Sequence, residues 1–252
     1  MTTLTELPTL PNWQQTPDDL NAATREIKAA IRRRIEASGR SVEEVFAHIE
    51  AIVTERVEEI EADLAAGRSA WPIVDYADIA AGTVPAETMA LIKRRGCAVV
   101  RGHFEREQAL AWDAELVDYV DRNEFFENYR GPGDDFFGTV GSKPEIYPIY
   151  WSTPQMEARQ SDRMATVQSF LNSFWTSESE GVQWFDPNRD ALYPDRVRRR
   201  PPGTNSKGLG AHLDPGTLDL WMTQEFQQAF RHLFDGSIED YSPWDAAHRT
   251  SG

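Results

Sequence analysis

Residues 208 to 222 read GLGAHLDPGTLDLWM, and within them His212 and Asp214 stand two positions apart, between a glycine-rich approach and a Pro-Gly stop. On a strand, residues two apart share a face, so an imidazole nitrogen and a carboxylate oxygen could reach one ion from the same side. Those donors are two of the three in the facial triad that holds non-haem Fe(II), a geometry that leaves the remaining positions open for chemistry. Spacing by itself leaves a second reading standing. With 5 His and 19 Asp in 252 residues, chance supplies about 0.4 such pairs per chain. A plain His–Asp hydrogen bond would satisfy the same two residues. An ionised Asp closing an apolar strand is costly to bury without a partner, and a metal is one such partner.

Other residues with chemical potential have blander readings. His103 follows a strand-ending glycine and suits a turn or the edge of a core, His48 sits in an acidic helix, and His232 falls on a helix surface. His248 reads as a terminal polar residue. Lys143, Arg159 and Arg163 lie near an aromatic loop and could grip an organic acid, with ordinary surface pairing as the alternative. Arg198, Arg199 and Arg200 precede the His-Asp stretch and read as a solvated linker that could face an anion. Trp151, Phe170, Trp175 and Trp221 are expected in the core.

Several elements must position these residues. Thr16-Pro17-Asp18-Asp19 opens a helix with a capping oxygen, an early proline and acids at the positive end of the dipole, and Gly39 stops it. Ser41-Val42-Glu43-Glu44 is a capping box, and Val45, Ile49, Ile52, Val53, Val57 and Ile60 form the apolar face of a second helix ending near Gly67. A short strand over Ile73 to Tyr76, a turn, and a helix from Ala86 to Arg95 follow. GCAVVRGHF is a compact apolar strand bounded by Gly96 and Gly102, with Cys97 as a small buried hydrophobe, and a helix over 105 to 122 comes next. Residues 123 to 150 are an irregular aromatic loop of the kind that lines pockets. A single helix over 154 to 176 leads to a proline-punctuated link, and TQEFQQAFRHLF forms a late helix.

The net charge of −15 argues against nucleic acid or an anionic membrane as partner. Eight carboxylates against Arg56 crowd residues 41 to 66, which read as a solvated helix face, an interaction surface being the alternative. No apolar run is long enough to span a bilayer and no signal peptide opens the chain. With one cysteine the expected compartment is the cytosol.

The strings IYWSTPQMEARQS, FLNSFW, RRRPPG, AHLDPGTLDLWM and WDAAHRT, in this order, resemble the YbiU-like family of iron and 2-oxoglutarate oxygenase-like proteins, from about residue 10 to the end. GCAVVRGHF likewise looks like the entry strand of 2-oxoglutarate oxygenases. The resemblance implies an α+β chain: N-terminal helices, then an incomplete double-stranded β-helix (jelly-roll) of the 2-oxoglutarate oxygenase type. Domains of 1–69, an arm and helical hairpin, and 70–252, a partial jelly-roll, are expected. His212 and Asp214 are then iron ligands, and Fe(II) and 2-oxoglutarate the implied cofactors. The family pattern calls for a third ligand, a histidine on a later strand, and only 38 residues follow Asp214. Some five further strands do not fit there, so the chain is expected to be a truncated, catalytically incomplete portion of a longer protein.

Two functional classes emerge. One is an oxygenase-like protein acting on a small molecule, with an organic acid a candidate. The other is a non-catalytic ligand-binding or protein-interaction module. An unpaired barrel edge would also favour self-association.

Overall fold

A computed structural model of the chain describes residues 17–128, 146–147, 149–179, 181–190, 195–198, 230–234 and 237–246. These fall into two compact units, one built around residues 17–70 with Phe174–Asp186 and the segment 230–246, the other around Trp71–Ser173 with 187–198.

The first unit starts with the helical hairpin the sequence predicts. Helix α1 (Pro17–Ala37) ends at Gly39, whose φ of 84° suits a residue without Cβ, and α2 (Val42–Ala65) follows. Ser41 caps α2 reciprocally: its Oγ accepts from the Glu44 amide at 3.1 Å, and the Glu44 carboxylate accepts from the Ser41 amide at 2.7 Å. That bonding holds the Glu44 carboxyl below its ordinary range. Arg32 pairs with Glu36 one helical turn on in α1 and with Glu43 across the turn between the helices. Ile35 and Val45 pack with Ile31, Val42 and Ile49, and Phe230 and Leu233 close over them, Leu233 from helix α9 (Arg231–Phe234). A hairpin of β4 (Glu178–Ser179) and β5 (Val182–Gln183) turns at Gly181, φ 78°. Beside it Trp175 packs on Trp244, and Thr176 bridges to Asp245.

In the second unit β1 (Ile73–Asp75) pairs in parallel with β2 (Val99–Arg101). A parallel pair needs a crossover, and α3 (Tyr76–Ala81) and α4 (Ala86–Arg95) supply it. Buried Val74 alternates with exposed neighbours and packs on Ile79 and Val167. Helices α5 (Arg106–Arg122) and α6 (Phe125–Asn128) lead towards β3 (Ile146–Tyr147), which pairs antiparallel with β6 (Val197–Arg198). Val120, Tyr147 and Ile149 form the cluster beneath this pair. Helices α7 (Thr153–Arg159) and α8 (Asp162–Asn172) complete the unit.

The fold is thus mixed helix and sheet, with helices dominant and, among the described residues, strands paired two at a time. Three expectations change. The strand at Ile73 is a residue shorter because Tyr76 already starts α3, which Gly82 ends at φ 67°. The helix expected over 154 to 176 is two helices, because Ser161 accepts from the Met164 amide and restarts the chain as an N-cap. The link after residue 176 contains the β4–β5 hairpin.

Candidate functional site

A polar network with buried members joins the start of α7 to the segment before β6. The sequence Ser152-Thr153-Pro154-Gln155 starts α7 with a capping box and a proline in the first turn. Ser152 and Gln155 are both buried. A buried amide must be paired, and Gln155 Nε2 donates to the Ile149 carbonyl at 2.9 Å, to the Asp195 carbonyl at 3.1 Å and to Asp195 Oδ2 at 2.9 Å. Arg159, one turn on, holds the other carboxylate oxygen of Asp195 at 3.1 Å and donates to the Tyr150 carbonyl at 2.6 Å. Asp195 lies two residues before β6, so these bonds secure the entry to that strand.

A second cluster joins the exit of β2 to α8. Arg163 donates through Nε to the His103 carbonyl and through Nη2 to the Gly102 carbonyl at 2.6 Å, and pairs with Glu105 at 3.3 Å. Its guanidinium lies 4.0 Å from the centre of the Tyr76 ring. His103 stacks on Phe104 with centroids 4.3 Å apart, and Phe104 meets the edge of Trp112, whose indole donates to Glu157 at 2.7 Å. Burial pushes the His103 imidazole below its ordinary value, and the Arg163 charge acts in the same direction.

The structure thus places several sequence candidates. Arg159 and Arg163 each pair with a carboxylate, Asp195 and Glu105, in line with the pairing alternative, and each also donates to backbone carbonyls. His103 sits at a core edge, as expected. His48, in the acidic helix α2, brings its Nε2 to 2.7 Å from the Glu239 carboxylate, far away in sequence. His232 is part-buried, with Nδ1 2.9 Å from the Ser237 hydroxyl, instead of lying on a helix surface. Trp151 is 70% exposed, against the expectation of core, because it follows the Ile149 anchor and stands outside α7 beside Arg159. Cys97 is half-buried with a free thiol. Arg198 is exposed on β6. His212, Asp214, Lys143, Arg199, Arg200, Trp221 and His248 lie outside the described residues. Among the described residues no three His, Cys, Asp or Glu side chains converge as a metal site, and no helix is long and apolar enough to cross a membrane. Sequence reasoning missed Gln155 and Asp195. The capping box at Ser152 could have located the start of α7, but nothing local marks Asp195 as its partner.

A family model for Gig2-like proteins matches residues 18–252, and the chain belongs to that family. Its relatives include "Uncharacterized protein YbiU" of Escherichia coli K12, 54% identical over 235 residues, covering 93% of this chain and 55% of that protein. Among solved structures, an Escherichia coli "Hypothetical Protein JW0805" aligns at TM-score 0.78 and 49% identity over 95% of this chain and 56% of that one. A "Putative Oxidoreductase" of Salmonella typhimurium LT2 aligns at 0.82 and 50%, over 93% and 56%. The Candida albicans protein GlcNAc Inducible Gene 2 shares the fold at TM-score 0.62 and 22% identity, over 88% and 44%. The chain therefore spans about half the length of the relatives it matches.

Proposed function

We propose that the chain contributes His212 and Asp214 to the metal site of an Fe(II)/2-oxoglutarate-dependent oxygenase-like protein acting on a small molecule, with a jelly-roll built around that site. The observation that supports this reading is the stretch His212-Leu213-Asp214 between a glycine-rich approach and a Pro-Gly stop, inside the span matched by the family model. One imidazole nitrogen and one carboxylate oxygen fit Fe(II) by donor type. The Salmonella relative's description as an oxidoreductase is compatible with this chemistry.

When bound, the metal with 2-oxoglutarate would supply oxygen activation. The chain's own part is to present two donors on one strand face, with Gln155, Arg159 and Asp195 securing the preceding β6. Two protein ligands hold a metal less tightly than three, so a site built from this pair alone is expected to bind Fe(II) weakly. Anaerobic addition of 2-oxoglutarate to protein and Fe(II) should give a weak charge-transfer absorption that disappears in His212→Ala and in Asp214→Ala. Equal absorption in all three proteins would remove the pair from the site and leave a non-catalytic binding module as the reading.

A further inference from the structure

Helix α2 carries two apolar surfaces, and the hairpin core uses one of them. Val45 and Ile49 face that core. Phe46, Val53, Val57 and Leu64 are 60%, 54%, 46% and 56% exposed. Their spacings of 7, 4 and 7 residues average the helical repeat, so the four side chains form a nearly axial ridge within an arc of about 40° and about 27 Å long. Monomeric surfaces scatter single apolar residues, whereas an aligned row of four is the pattern of a helix-binding face. One flank of the ridge is acidic: Glu50 and Glu61 lie about 50° round the helix from it and Glu58 further round, all exposed. Residues 41 to 66 hold eight carboxylates and one arginine, and that arginine, Arg56, is paired with Glu59 at 3.5 Å on the side away from this flank.

We propose that the Phe46–Leu64 ridge of α2 is a docking surface for a partner helix that carries an apolar stripe flanked by lysine or arginine. The charge pattern selects this occupant. A second copy of α2 packed antiparallel would bring the acidic rows together, which is unfavourable, and packed parallel would set each acidic row against a flank whose arginine, Arg56, is already paired with Glu59; an anionic membrane would be repelled by the same row. A basic amphipathic helix would cover the four side chains and place its cations over Glu50, Glu58 and Glu61.

The test uses the full 252-residue chain and three labelled synthetic 21-residue peptides, read by fluorescence anisotropy. The first has leucines at i, i+4, i+7 and i+11 with lysine flanks, the second is a scramble of the same composition, and the third keeps the stripe with glutamate flanks. The first should bind at least about tenfold more tightly than the others. Val53→Asp/Val57→Asp should lose that binding, and Glu50→Lys/Glu58→Lys/Glu61→Lys should shift the preference to the glutamate-flanked peptide. All altered positions are exposed, and circular dichroism checks that the helices persist. Equal binding of the scramble, unchanged binding by Val53→Asp/Val57→Asp, or an unaltered preference in the lysine variant would overturn the proposal. So would sedimentation showing a wild-type dimer that Val57→Asp converts to a monomer, since a second copy would then own the ridge.

Discussion

The Ser41 cap and the Arg163 clamp both satisfy polar backbone groups, at opposite ends of sequence separation. Ser41 and Glu44 lie three residues apart and complete each other within one helical turn. Arg163 reaches back 60 and 61 residues to the carbonyls that end β2. A local cap forms wherever its helix forms, whereas the clamp requires α8 and β2 to be in place together. Losing the first should loosen an element, and losing the second should loosen a unit.

Replacing Arg163 by Ala sharpens this contrast most. It strands two backbone carbonyls and removes the Glu105 pair and the Tyr76 contact, so about 3 kcal/mol of stability should be lost, allowing for partial exposure. Arg163→Lys should recover little of it, because a single ammonium cannot reproduce the fork. Urea unfolding measures both. A cost below that of the cap variant would break the distinction between clamp and cap.

Ser41→Ala comes next, at about 1 kcal/mol, through loss of one side-chain acceptor at the start of α2. Hydrogen exchange should show faster opening confined to the first turn of α2. Global loosening of that unit would mean that the cap also holds the hairpin core.

The smallest effect is a pH slope at the clamp. His103 is held below its ordinary value of 6.5, mainly by burial. The unfolded chain therefore takes up the proton first as pH falls. Stability from the neutral imidazole is complete above about pH 6.5 and declines as pH drops through that value towards the lower folded one. His103→Phe keeps the stacking on Phe104 and should flatten this part of the stability profile. An unchanged slope would assign it to other groups.

The same distinction explains what could be read from the sequence. The capping box of α2, the extent of α4 from Ala86 to Arg95 and the glycine-bounded strand at Val99 were all legible, because their signals are local. The break at Ser161 was not, since the apolar pattern of α7 and α8 runs through it and only the cap interrupts the helix. The β4–β5 hairpin was hidden because its two-residue strands are too short to show an alternation. At the candidate site the His-x-Asp spacing stands in the sequence, whereas the Gln155–Asp195 bonds that secure β6 join residues 40 apart. Periodicity assigns Val53 and Val57 of the exposed ridge to the same apolar face as Val45 and leaves out Phe46 and Leu64, because it reports a stripe and not what covers it.

The metal reading at His212 and Asp214 is most directly tested by locating a paramagnetic ion on the protein. Mn(II) accepts the same nitrogen and oxygen donors as Fe(II) and broadens nearby amide signals. At substoichiometric Mn(II), the amides of His212, Leu213 and Asp214 should broaden first in the wild-type chain and stay sharp in Asp214→Ala. Broadening centred on the acidic face of α2 around Glu50, Glu58 and Glu61, unchanged by Asp214→Ala, would contradict the assignment.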